Sequence, residues 1–242
     1  LIGGGATWRY WDEIKNLVSA TSQTEEKPAP APIPDPETYA VLASEVEFHR
    51  KKLAAQYLAA QTVTEQNKVL ISARNFLELT MPELMSCWLG TPRDFNGMTS
   101  TPGGGKVACG YFVSTIMRDS GFNVHRIRLA QQPSQNILRT FLPRDQLQIK
   151  VDVEYNDYMQ TIRNGKRGIY IIGLDRHVGF LVNGTDGLHF IHSGGVYKRV
   201  VNESKPDASS IENSHYRVIG HLTGNLELLR KWLLQESFPT QI

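Results

Sequence analysis

Two cysteines and seven histidines carry most of the nucleophilic and proton-transfer chemistry open to this 242-residue chain, and Cys109 is the most informative of them. It follows a glycine-rich approach, Gly103-Gly104-Gly105-Lys106-Val107-Ala108, and opens a stretch in which Cys109, Phe112, Val113, Ile116 and Met117 share one helical face before Gly121 stops it. A cysteine in the first turn of a helix has unpaired backbone N–H groups and the positive end of the helix dipole beside it. Both favour the thiolate, the form that attacks carbonyl carbon. The plainer reading of Cys109 is a small apolar residue on a core-facing stripe.

A later segment, Gly173-Leu174-Asp175-Arg176-His177-Val178-Gly179-Phe180-Leu181-Val182, supplies a base. Val178, Phe180 and Val182 alternate onto one face of a strand, which sends His177 to the other, beside the space left by Gly179. The next strand returns after a turn at Asn183-Gly184 and brings His192 within reach of His177 as an orienting partner. Asp175, two residues from His177 on the same strand face, is the weaker alternative orienter. A thiol, an imidazole and a third polar group in this order are the parts of a nucleophilic site that cleaves amides.

Other chemically capable residues are set aside. Cys87, in Met85-Ser86-Cys87-Trp88-Leu89, lies among apolar neighbours and reads as an inert structural thiol. His189 and His192 are three apart, which on a strand puts them on opposite faces and argues against a shared metal; no metal and no cofactor is expected. His49, His125, His215 and His221 have no motif around them. Gly103-Gly104-Gly105-Lys106 lacks the first Gly and the Ser or Thr that a phosphate loop requires. Trp8, Trp11 and Trp88 have the chemistry to stack on sugar rings, but aromatic residues in apolar stretches are more often core.

The elements that must position these groups change character along the chain. Alternating prolines from Pro28 to Pro36 favour an extended strap, preceded by a short helix-like apolar face from Trp8 to Val18. Helical spacing follows from Asp35-Pro36 to about Ala60, again from Val69 through Leu77, and in a short third helix around Pro82 to Trp88 that breaks at Gly90-Thr91-Pro92. From Gly121 the period becomes two, predicting strands at 124–129, 147–153, 168–174, 177–182, 188–192, 196–201 and 217–222. A final helix is capped by Asn225. Helices first and strands afterwards indicate an α+β fold with a largely antiparallel sheet. The predicted organisation is a helix and strap over 1–36, a helical region over 37–88 belonging to or packed on the next unit, and a catalytic domain over 89–242.

Composition narrows the partners. With 26 Lys plus Arg against 24 Asp plus Glu, the net charge of +2 gives no electrostatic reason to expect nucleic acid. No apolar run approaches the roughly 18 residues of a membrane helix. Two cysteines cannot build a disulfide framework. The chain opens at Leu1 without a leader, which predicts a processed form or an excised fragment.

The order of the glycine-rich approach, Cys109 at a helix start, the strand Gly168-Ile169-Tyr170-Ile171-Ile172-Gly173, then His177-Val178-Gly179-Phe180-Leu181 and Phe190-Ile191-His192-Ser193, resembles the NlpC family of papain-like cell-wall cysteine peptidases. Leu89-Gly90-Thr91-Pro92-Arg93-Asp94-Phe95-Asn96-Gly97 is similar to that family's segment ahead of the cysteine, and the resemblance covers roughly residues 70–200. It implies a papain-like core with its sheet packed on the nucleophile helix, Cys109 as nucleophile, His177 as base and His192 as orienter. Gly110 and Gly179 fall beside those residues, as part of the substrate site. The implied partner is a peptide, the stem peptide of bacterial peptidoglycan, in a secreted or periplasmic setting. Two departures stand out: Ala108-Cys109-Gly110-Tyr111 replaces the family's usual Asp-Cys-Ser-Gly, and Arg93 falls where a substrate-holding tyrosine is usual. An arginine there is suited to clamp a substrate carboxylate, or else forms a surface salt bridge. A catalytically silent binding domain of the same fold, or an amidase or acyltransferase acting on a non-wall substrate, are the alternative readings.

Overall fold

Asp35 starts the first described helix, α1 (Pro36–Ala59): its carboxylate accepts from the Thr38 N–H at 2.9 Å, and Pro36 occupies a first-turn position where its missing N–H costs nothing. The computed structural model describes residues 31–194, 196–203 and 209–242. The helix-like reading of residues 8–18 lies outside them. Helix α2 (Val63–Ser86) begins with a reciprocal cap between Thr62 and Glu65 and runs straight through Pro82. The predicted break before Pro82 is therefore absent. One backbone donor is lost there, but Leu77, Met81, Leu84 and Met85 continue a buried stripe across the site, and that burial outweighs the local penalty.

Helix α3 (Cys109–Asp119) starts as predicted at the cysteine and ends at Gly121, whose φ of +85° suits a glycine. The next segment departs from expectation. Residues 124–129 are not a strand; Arg126–Ala130 form α4, with a His125 ring nitrogen accepting from the Arg128 N–H at 3.2 Å. Only Leu129 of this helix is buried, so the apparent alternation carried no second apolar face to place on a sheet. Helix α5 (Ser134–Phe141) and helix α6 (Tyr155–Arg163) were not foreseen, each being short and polar on its outer side.

Six strands form one antiparallel sheet: β1 (Leu147–Val151), β2 (Gly168–Leu174), β3 (Val178–Asn183), β4 (Leu188–Gly194), β5 (Arg199–Glu203) and β6 (Tyr216–His221), in the order β1-β6-β2-β3-β4-β5. Between β5 and β6 lies the one-turn helix α7 (Ser209–Glu212). β5 begins three residues later than predicted, because 196–198 make a turn, and it extends two residues further, to Glu203. The last helix, α8 (Leu226–Leu233), has the predicted cap, Asn225 accepting from the Leu228 N–H at 2.8 Å.

Strand alternation divides the apolar residues between two layers. Ile169, Ile171, Val178, Phe180, Ile191 and Val218 join the buried faces of α1, α2, α3 and α8, while Ile172, Leu174, Leu181, Phe190 and Ile219 pack under Tyr158, Met159 and Ile162 of α6. An edge-to-face chain of rings, Tyr39–Trp88–Phe112–Phe180, crosses the larger core with centroid spacings of 5.7, 5.9 and 6.2 Å and couples α1, the end of α2, α3 and β3. Residues 37–88 thus share one core with the sheet, and Trp88 is wholly enclosed in it. The architecture is α+β with a six-stranded antiparallel sheet. Among the described residues no helix is long and apolar enough to cross a membrane.

Candidate functional site

The start of α3 is held by loops rather than by a side-chain cap. Residues 90–93 zip against 198–200 through Gly90 N–H to Val200 O (3.0 Å), Val200 N–H to Thr91 O (2.9 Å) and Arg93 N–H to Lys198 O (2.8 Å). Val107 and Ala108 donate to Pro92 and Gly97, and the buried Ser193 hydroxyl on β4 donates to Val107 O at 2.7 Å. The residue after His192 therefore fixes the segment that delivers Cys109. The first helical bond is Phe112 N–H to Ala108 O, which leaves the earlier amides of α3 outside the helical ladder, as at any helix start.

His177 and His192 meet as the alternation predicts. His177 Nε2 lies 2.7 Å from His192 Nδ1, and His192 Nε2 lies 2.6 Å from Oε1 of Glu203. The carboxylate accepts the His192 Nε2 hydrogen. Neutral His192 then has Nδ1 as an acceptor, His177 donates its Nε2–H to it, and His177 Nδ1 is left with a free lone pair. Phe190 stacks on His192 at 4.0 Å between centroids and stands edge-on to His177. Glu203 is the partner that sequence reasoning missed, because the predicted strand stopped at Val201. Two more residues of alternation would have put Glu203 on the face of Val201, which pairs with His192.

Burial sets the charge states of this row. It is the main cause holding His177 down at about 3, helped by the neighbouring imidazole and by the positive charge of Arg93. It lowers His192 as well, against the opposing pull of Glu203. The Cys109 thiol interacts with the Val178 N–H, the amide that directly follows His177. That amide, the amides of Gly110 and Cys109 and the charge of Arg93 all favour a thiolate, yet burial outweighs them and pushes the thiol up. Burial, not the helix start, therefore dominates at Cys109: at rest the cleft holds a neutral thiol and a neutral imidazole.

Cys109 and His177 open onto one cleft of about 550 Å³, lined also by Arg93, Phe95 and residues 130–135, which run from the end of α4 into the start of α5. Gly110 also lines it, but the space of its missing Cβ is occupied by the Ala130 carbonyl, 2.4 Å from where that atom would be. Gly179 does not line it. A Cβ there would meet Phe190 and His192 at 2.7 and 2.8 Å, so this glycine makes room for the histidine row. Asp175 borders the cleft with both oxygens engaged, accepting from the His215 and Tyr216 amides at 2.8 and 3.0 Å, and His192 holds the place beside His177. The α4–α5 wall had no signal in the sequence, since the helices that build it were not recognised.

No family model, curated protein or solved structure matches this chain.

Proposed function

We propose that this chain is a papain-like cysteine amidase or peptidase in which Cys109 is the nucleophile, His177 the base and His192 its orienter. The observation that carries the reading is the directed row Glu203–His192–His177, which leaves Nδ1 as the free ring nitrogen of His177, together with the cleft that His177 and the helix-start thiol of Cys109 both line. The neutral resting pair calls for proton transfer coupled to attack. His177 takes the Cys109 proton as sulfur bonds to the carbonyl carbon; the carbonyl electrons move to oxygen, which faces the amides at the start of α3, each such donor contributing on the order of 3 kcal/mol. Collapse expels the amine, which takes the proton back from His177, and water activated by the same imidazole hydrolyses the thioester. Neutral His177 is the form able to accept that proton.

The stem peptide of bacterial peptidoglycan is the substrate that the NlpC resemblance supports, and with it a secreted or periplasmic setting. The test is release of amine from soluble peptidoglycan fragments by the native chain and by Cys109→Ala. Turnover that Cys109→Ala abolishes with unchanged circular dichroism supports the reading. Turnover that survives in Cys109→Ala removes Cys109 as nucleophile, and a native chain inert to wall fragments but active on other peptides removes the wall substrate alone.

A further inference from the structure

Most described arginines near the core have partners. Arg50, Arg74, Arg118 and Arg230 pair with carboxylates, and Arg217 donates to three backbone carbonyls. Arg93 does not. Its Nε is enclosed without a hydrogen bond, and no ion pair involves it among the described residues. Arg199 shares an unpaired Nε but does not line the cleft. Leaving a guanidinium donor shut away from water and unpaired is costly unless something else meets it.

Its position is built rather than incidental. The Arg93 backbone is pinned to Lys198 and bridged to Val107, two residues before the nucleophile. Its charge acts on Cys109, His177 and His192 together. The carboxylates in range of it are engaged elsewhere: Asp94, which feels the Arg93 charge, accepts from the Asn96 N–H at 2.9 Å and pairs with Lys106 at 3.3 Å, and Asp175, the one carboxylate among the described lining residues, is committed to the His215 and Tyr216 amides. A planar fork with free donors beside an amide-cleaving thiol is shaped for a carboxylate, bound through two parallel hydrogen bonds.

We propose that Arg93 anchors a free carboxylate of the substrate close to the scissile amide, so that this cleft takes acidic peptides in preference to their neutral isosteres. This deepens the proposed function and rests on it, since it needs Cys109 to be the reacting group. A bound carboxylate also offsets the Arg93 charge that opposes protonation of His177, so that docking the anion makes the base stronger at the moment it is needed.

Small alkylating reagents test the pairing without a known substrate. Iodoacetate and 3-bromopropionate are compared with their amides on the full chain, with Cys109 and Cys87 resolved by peptide mass spectrometry and a small neutral thiol as reference. The expected result is an acid-to-amide rate ratio at Cys109 about tenfold above that of the reference thiol. Arg93→Gln removes a charge that favours the Cys109 thiolate and so should slow acid and amide reagents alike while returning their ratio to the reference value, and Arg176→Gln, at the exposed rim of the same cleft, should leave the ratio raised. A reference-like ratio in the native chain, or a raised ratio that survives in Arg93→Gln, overturns the inference while selective labelling by the amides keeps the proposed function standing. Loss of the ratio in Arg176→Gln instead of Arg93→Gln also overturns it. A Cys109 inert to every reagent, although alkylated after denaturation, overturns both.

Discussion

The two cysteines sit at opposite ends of helices, and their surroundings differ in sign. Cys87 caps the carboxyl end of α2, where after burial the next influences are the negative charges of Asp35 and Glu83, all pushing its thiol up. Cys109 opens α3, and after burial every neighbour that acts on it, three amides and Arg93, pulls the other way. Both thiols end above their ordinary range, but only one would gain a thiolate when the balance shifts. The lesson is that a helix end sets what a cysteine is able to become, while burial sets what it is at rest.

Alkylation of the native chain by iodoacetamide tests the comparison most severely. Cys109 should react at least 10²-fold faster than Cys87, which is 7% exposed and opens onto no described cleft. Equal rates would erase the distinction. Because burial raises the Cys109 thiol, the rate without substrate should keep climbing through and above the ordinary thiol range near pH 8.5. A plateau already reached near pH 6 would show a resting ion pair instead.

The histidine row should matter next. In the proposed mechanism His192 and Glu203 fix the ring that accepts the proton rather than touching substrate, so His192→Ala should lower kcat by roughly 10² and Glu203→Gln by about tenfold, both with KM little changed. The pH–rate profile should shift in both variants, which a merely structural role would not produce. Unchanged profiles would leave the row as packing.

Acid should then weaken the fold. His177 is held at about 3 and His221 at about 4, both chiefly by burial, against an ordinary value near 6.5. Between those limits the unfolded chain binds protons that the folded chain refuses, so stability should fall as pH drops from about 6.5 toward 3 and change little from these groups above it. Urea midpoints across that window measure it, and the fall should be shallower in His177→Asn. The smallest effect belongs to Cys87→Ser: about 1 kcal/mol of stability from an added hydroxyl in apolar packing, with turnover unaffected. Lost activity with normal folding would exchange the roles of the two thiols.

Sequence by itself determined the parts that depend on local periodicity. The start of α3 at Cys109 and its stop at Gly121, the helix from Asp35-Pro36 to Ala59, the caps at Asp35 and Asn225, and the opposed faces of β3 were all legible, because caps, left-handed glycines and alternation act within a few residues. So was the meeting of His177 with His192, which needs only one tight hairpin. The misreadings have a common cause. Residues 124–129 alternated without a strand to pair with, the break at Pro82 was overridden by a continuous buried stripe, and Glu203 lay past the predicted end of an edge strand. Only the tertiary structure decided that Ala130 fills the space beside Gly110, that Gly179 makes room for the histidine row, that Asp175 is spoken for and that the Arg93 Nε finds no hydrogen bond among the described residues. It also decided the charge of the pair, since burial is a property of everything packed around a residue and no spacing along the chain encodes it.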